Sequence, residues 1–279
     1  MIPVIRMLPG IKQIINSNSY KHCRHWFVRK FGKRDRFTLT RFLRSPTQYD
    51  ALTGPVLDYI FADGTEKKLK IACLGCSSGS EAYTISSVLT DKFPNLEFTI
   101  HASDIDKELI EKAKNRVYVS EEVTINPFIT SEFIEATFDI KDALYIVKPE
   151  IAEKIIFSYQ DVLDVDLASL GAFDIVYAQN LMVNMKPALA NTAYRNIYKL
   201  LKNKSVIFLD GVDLDLRWKV TKESGLTPLD YNLEQIYLEV KDCLGEWPYW
   251  YSGLEPLAHT RKDKVRRYST IYFKGLNLT

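Results

Sequence analysis

Cysteine is scarce in this chain, 4 in 279 residues, and no apolar run approaches a membrane-spanning length. So few thiols exclude a disulfide scaffold, and a bilayer helix needs roughly 20 consecutive apolar residues, so no transmembrane segment is expected. The opening Met1-Ile2-Pro3-Val4-Ile5-Arg6 lacks the long apolar core of a secretory leader. A cytoplasmic protein is therefore expected. Gly-x-Gly-x-x-Gly and Gly-Lys-Ser/Thr are both absent, which sets aside dinucleotide and phosphate-loop sites. His-Glu-x-x-His is missing too, and Cys73-x-x-Cys76 has no second pair. Because Cys73 sits in an apolar run, a small buried side chain is expected there, and no metal.

Acids are almost absent from the start of the chain. Overall the net charge is +2, yet residues 1–44 hold eleven Lys/Arg against the single acid Asp35, a net of +10 that leaves −8 for the remainder. This arm carries Trp26, Phe27 and Phe31 among its cations. It could meet an anionic partner, or form a small helical cap whose basic face is simply solvated.

From residue 69 onward, strand and helix patterns alternate. Leu69-Lys70-Ile71-Ala72-Cys73-Leu74-Gly75 is a buried-strand run ending in glycine, and residues 97–103 form a second. Helical spacing links Ala82, Ile85, Ser86 and Leu89, then Leu109, Ile110, Ala113 and Val117. Residues 173–178, 205–210 and 267–273 read as further strands, with a helix between the first two. The expectation is an α/β fold, a doubly wound and mostly parallel sheet. Residues 118–160 are expected to form a small antiparallel β insert leading into a core strand, and 212–265 an extra insertion with an aromatic cluster at Trp247-Pro248-Tyr249-Trp250-Tyr251. In such sheets ligands bind beyond the carboxyl ends of the strands. That places a site near residues 75–81, 103–106, 161–162 and 179–184.

The turn Gly75-Cys76-Ser77-Ser78-Gly79-Ser80-Glu81 follows the first strand and opens a helix. Glycines let backbone approach a ligand, and Asp104 ends the next strand, where a carboxylate can accept both hydroxyls of a ribose. Without a phosphate motif, the pattern suits a nucleoside lacking pyrophosphate, such as S-adenosylmethionine. Local structure explains each residue as well: Ser78 to Glu81 could be a capping box, and Asp104 or Asp106 could cap the following helix.

The stretch Gly75-Cys76-Ser77-Ser78-Gly79-Ser80-Glu81-Ala82-Tyr83-Thr84 resembles the G-C-S-S-G-E-E-P-Y-S turn of CheR-type chemotaxis-receptor glutamate methyltransferases. Ala102-Ser103-Asp104-Ile105-Asp106, Phe173 to Met182, Leu200-Leu201-Lys202 and Thr38 to Arg44 resemble four further segments of that family, in order. The resemblance implies a Rossmann-like, class I S-adenosylmethionine-dependent O-methyltransferase over residues 45–279, with 1–44 as a basic helical arm. It places Thr38, Thr40 and Arg44 by the methionine end of the cofactor and the reacting carboxylate, Gly75 in the cofactor turn, and Glu81 at the ammonium. Asp104 would hold the ribose, Asp161 and Val162 the adenine, and Gln179 and Asn180 the floor. Asn184 stands where the family has a tyrosine near the transferring methyl, and Ser80 replaces a glutamate. The insert would dock an acidic protein substrate or receptor, together with the basic arm. Nucleic acid is not expected as acceptor, since the Asx-Pro-Pro-aromatic signature of amino-group DNA methyltransferases is absent. A small-molecule O- or N-methyltransferase and a non-catalytic cofactor-binding regulator are the alternatives.

Overall fold

The computed structural model describes residues 40–64, 68–183, 185–243 and 257–276. The basic arm before residue 40, which includes Thr38, lies outside the described residues, as do Asn184 and residues 247–251.

Among the described residues ten strands form two sheets. In chain order they are β1 (Leu69–Leu74), β2 (Phe98–Asp104), β3 (Val117–Val119), β4 (Phe138–Lys141), β5 (Leu144–Val147), β6 (Ile155–Tyr159), β7 (Phe173–Gln179), β8 (Leu201–Asp210), β9 (Thr227–Pro228) and β10 (Ile271–Lys274). The main sheet has seven strands ordered β6-β2-β1-β7-β8-β10-β9. β6, β2, β1, β7 and β8 run parallel, and β10 enters antiparallel to both β8 and β9. The order reverses direction at β1, which puts the switch point of the winding between β1 and β7.

Both faces of this sheet are buried, which explains why its strands read as continuous apolar runs. Ile71, Cys73, Ile175, Tyr177, Val206 and Phe208 join the core on one face. The residues between them, including Ala72, Leu74, Val176, Ala178, Ile207 and Leu209, join the core on the other. Tyr177 and Phe208 stack at 4.2 Å with planes 9° apart.

Four features differ from the sequence pattern. Ile155–Tyr159 does not belong to the small β insert; it pairs parallel with β2 as an outer strand of the main sheet. The insert proper is the three-stranded sheet β3-β5-β4 with two short helices, Ser120–Thr124 and Ser131–Thr137. Val117 leaves the helix Lys107–Asn115 and opens β3, because Arg116 takes a left-handed φ of 63° that ends the helix. Arg267 and Tyr268 lie in the helical turn Lys264–Tyr268, so the last strand starts only at Ile271. Part of the expected 212–265 insertion completes the sheet: β9 pairs with β10, after the helix Leu214–Glu223.

The turn before the first described helix, Pro46–Ala51, is anchored by Phe42. Its ring is fully buried and meets Tyr118 at 5.0 Å and Phe138 at 5.1 Å, both in T-shaped contact. Replacing it with alanine removes a complete aromatic plug between the turn and the insert. Phe42→Ala is expected to lower the unfolding free energy by about 3–5 kcal/mol in a urea titration. A loss below about 1 kcal/mol would mean that the turn does not depend on this packing.

Candidate functional site

At the end of β1 the chain turns sharply. The N–H groups of Gly75 and Cys76 both donate to the Ser103 carbonyl, at 2.7 and 3.0 Å, so the turn is fastened to the end of β2. Gly79 precedes the helix Ser80–Lys92 with φ of 91°. A Cβ there would lie 3.0 Å from the Ala113 side chain and 3.1 Å from the Tyr83 ring. Glycine is required on both counts, left-handed backbone and close helix packing.

Asp104 is the connecting group. One carboxylate oxygen accepts the Ser77 N–H at 2.7 Å and the other the Asp106 N–H at 2.9 Å. Each oxygen keeps a further lone pair, which is the capacity a vicinal diol needs. The capping role falls to Asp106, whose side chain accepts from Glu108 and Leu109 N–H. The capping box expected from Ser78 to Glu81 does not form, since Gly79 occupies the cap position without a side-chain bond. Glu81 instead reaches back to β1, where the Cys73 thiol lies 3.5 Å from its carboxylate.

Glu81 is the most perturbed acid here. Burial pushes its pKa from 4.5 up to about 7, the Arg44 guanidinium and the Cys73 bond oppose that rise, and Asp210 adds to it. The residue keeps a partly exposed surface, so solvent softens the penalty. Arg44 itself is half-buried. Burial raises the pKa of both Cys73 and Cys76. Both are free, buried thiols, and among the described residues no group of three His, Cys, Asp or Glu side chains could hold a metal ion.

Gln179 and Asn180 follow at the end of β7. Gln179 is buried and donates through its Nε2 to Gln48 at 2.9 Å, and Gln48 in turn donates to Thr270 at 2.7 Å. Asn180 adopts φ of 53° and its N–H donates to the Asp210 carbonyl at 2.9 Å. Beyond β6, the Asp161 carboxylate accepts the Leu163 N–H at 2.8 Å, while Val162 is buried and its carbonyl accepts from Asn196 at 3.1 Å. The Gln160 N–H bonds the Asp104 carbonyl at 3.0 Å, which joins this loop to the end of β2.

Gly75, Glu81, Asp104, Asp161, Val162, Gln179 and Asn180 therefore converge on one edge, and Arg44 is within electrostatic reach of Glu81. Thr40 is half-buried at the start of the described turn. Three buried polar atoms along this edge, Ser103 Oγ, Asn180 Nδ2 and Asp210 Oδ2, have no hydrogen-bond partner among the described residues. Buried polar groups are nearly always paired, so these fit an edge built to receive a polar ligand. Asp210 ends β8 just as Asp104 ends β2, and no motif in the sequence marks it. Gln48, Asn126 and Glu239, which hold the Arg44 turn, have no motif around them.

Gly75-Cys76-Ser77-Ser78-Gly79 also has the Gly-x-Ser-x-Gly spacing of a hydrolase nucleophile turn. The two described histidines are engaged elsewhere, His101 edge-on against Phe173 and His259 facing Glu234. Among the described residues no histidine serves Ser77 as a base, so they form no hydrolase triad.

Comparison with known proteins gives the family of the chain. Residues 38–217 match the family described as CheR methyltransferase, SAM binding domain. Chemotaxis protein methyltransferase 2 of Vibrio cholerae serotype O1 is 27% identical over 175 residues, covering 61% of this chain and 60% of that protein. The chemotaxis protein methyltransferase of Listeria monocytogenes is 24% identical over 195 residues, covering 70% and 68%. Among solved structures, the magnesium protoporphyrin IX methyltransferase from Synechocystis PCC 6803 with bound SAM is 15% identical, with a TM-score of 0.38, covering 81% of this chain and 90% of that one. The match thus spans about three-fifths of the length of the Vibrio relative. With a family match over 180 residues, most of the chain, this protein belongs to the CheR methyltransferase family, its S-adenosylmethionine-binding domain lying at residues 38–217.

Proposed function

We propose that this chain transfers the methyl group of S-adenosylmethionine to a carboxylate, the side chain of glutamate on a receptor protein. The observation that carries the reading is the Asp104 carboxylate, oriented by two backbone N–H groups at the end of β2, beside a glycine turn and the perturbed Glu81. Bound there, S-adenosylmethionine supplies an electrophilic methyl on a sulfonium. Asp104 accepts the ribose hydroxyls and Glu81 holds the ammonium. Gly75 lets the backbone come close, Asp161 and Val162 flank the adenine, and Gln179 and Asn180 form the floor, with Thr38 and Thr40 at the methionine end.

A glutamate acceptor is already ionised at neutral pH, so no strong general base is needed. What the chain must do is align the two groups, exclude water and hold the acceptor's charge. Arg44 suits that last task, because a guanidinium fork binds both oxygens of a carboxylate. Asn184 would stand beside the transferring methyl.

The partner surface we propose is the β insert together with the basic arm. Val119 faces Leu144 across the β3–β5 pair, and both are exposed, as is Val117 two residues along the same face. An aliphatic face of this kind suits a protein partner. No helix among the described residues is long and apolar enough to cross a membrane, and we propose a cytoplasmic location.

Labelled methyl incorporated from S-adenosylmethionine into receptor-containing membranes is expected to leave as volatile methanol under mild base. Base-stable label would indicate N- or ether methylation, and binding without transfer a regulator. Asp104→Ala should weaken S-adenosylmethionine at least about a hundredfold in calorimetry, because an oriented charged acceptor is lost. Unchanged affinity would remove Asp104 from the ribose site.

Glu81 sets a pH dependence of defined sign. Its carboxyl loses the proton near 4.5 in the unfolded chain and near 7 in the folded one. Stability of the ligand-free protein therefore falls as pH rises through that window and levels off above it. Glu81→Gln should abolish this slope in urea midpoints measured from pH 4.5 to 8. Affinity for the cationic ammonium should run the other way, rising by up to about tenfold per pH unit until pH 7.

A further inference from the structure

We infer that Glu239, which lies beyond the family-matched residues, is a positioning residue that holds Arg44 in the site. The inference rests on the proposed role of Arg44. The helix that follows Arg44 cannot place itself. Pro46–Ala51 has only six residues, its cap residue Ser45 makes no capping bond within the helix, and the chain beyond it kinks at Gly54, followed by Pro55. So short a helix has little stability of its own.

Its opening donors go to a carboxylate some 190 residues away. Ser45 Oγ donates to Glu239 at 2.8 Å, the Thr47 N–H at 3.0 Å, and the Thr47 hydroxyl at 2.6 Å. Gln235 adds a fourth bond from the same helix as Glu239, Leu233–Cys243, at 3.2 Å. Ser45, Thr47 and Glu239 are all buried. Among the described residues no cation forms an ion pair with Glu239, and its hydrogen bonds there come from the neutral donors Ser45, Thr47 and Gln235. Removing this acceptor would strand three buried donors at once.

Arg44 lies between two sets of such bonds. On its N-terminal side Asn126 Nδ2 donates to the carbonyls of Phe42 and Leu43, at 2.7 and 2.6 Å, and the Leu43 N–H donates to Thr84 at 3.1 Å. Leu43 is held at φ of 48°, a conformation leucine seldom takes without such constraint. On its C-terminal side are the Glu239 bonds. Gln48 then bridges the same helix to Gln179 and Thr270. With both flanks fixed, the Arg44 backbone is held in place, and the charge of its guanidinium acts on both Glu81 and Tyr49. Glu239 thus makes the C-terminal segment part of the site without touching ligand.

The test uses the full chain as wild type, Glu239→Ala, Glu239→Gln, Arg44→Ala and the Glu239→Ala/Arg44→Ala double variant. Amide hydrogen exchange of the ligand-free protein is read over residues 42–51, and S-adenosylmethionine affinity by calorimetry. Glu239→Ala should speed exchange across 42–51 at least about tenfold while β1, β7 and β8 keep their protection. It should also weaken S-adenosylmethionine about tenfold, and add nothing in the Arg44→Ala background. Glu239→Gln keeps one acceptor oxygen and should fall between; it also carries the measurement if the alanine variant does not fold. Unchanged exchange would overturn the inference, and so would effects of the two substitutions that multiply, since a merely structural residue acts independently of Arg44. A wild-type chain that binds no S-adenosylmethionine would instead sink the proposed function, with exchange still deciding whether Glu239 holds the turn.

Discussion

The bond from the Ser77 N–H to Asp104 is the joint on which the carboxyl edge of the sheet depends. Two adjacent parallel strands end there, and their following turns must be held apart enough to admit a ligand yet close enough to grip one. Backbone bonds from Gly75 and Cys76 to Ser103 fix the spacing. Asp104 fixes orientation, since its two oxygens are aimed by N–H groups from opposite sides. A carboxylate held by backbone donors has little conformational freedom left to lose when a ligand arrives. Preorganisation of this kind comes from the main chain, so it survives many substitutions around it.

Legibility in the sequence follows from where each signal is encoded. The central strands were readable because both their faces are buried, which forces long apolar runs at Leu69–Leu74 and Phe173–Gln179. Gly75 and Glu81 are readable from the turn and helix start that follow β1, and Asp104 because it ends β2. Ile155–Tyr159 misled because an outer strand has half-exposed positions, here Ile156 and Tyr159, and so looks like any short insert strand. β9 has two residues and a proline, too little for a pattern. Glu239 was invisible for a different reason. Its partners are Ser45 and Thr47, and a contact spanning 194 positions leaves no periodicity or spacing to read.

The C-terminal segment illustrates how a fold extends a shared domain. β10 inserts antiparallel between β8 and β9, and so covers the flank that β8 would otherwise present as an open edge. The buried pair of Arg217 and Asp210 locks the helix Leu214–Glu223 to the end of β8, and Arg217 also donates to the Arg267 carbonyl. Glu239 and Thr270, both from this segment, then reach across to residues 45–48. Chain beyond the family-matched residues is thereby packed against the turn that opens the matched domain.

Charge explains why that packing matters for the proposed chemistry. Ionised Glu81 puts a negative charge at this edge, which favours a sulfonium and an ammonium. The same charge opposes an anionic acceptor, because like charges in a desolvated site repel strongly. A carboxylate can approach the methyl only if a cation compensates it, and Arg44 is the cation that acts on Glu81. A lysine would supply the charge but not the planar fork that fits two oxygens. Under this reading the position of one guanidinium decides whether the site accepts an acid at all, which is why its turn is anchored from both flanks by buried side chains instead of being left to the six-residue helix that follows it.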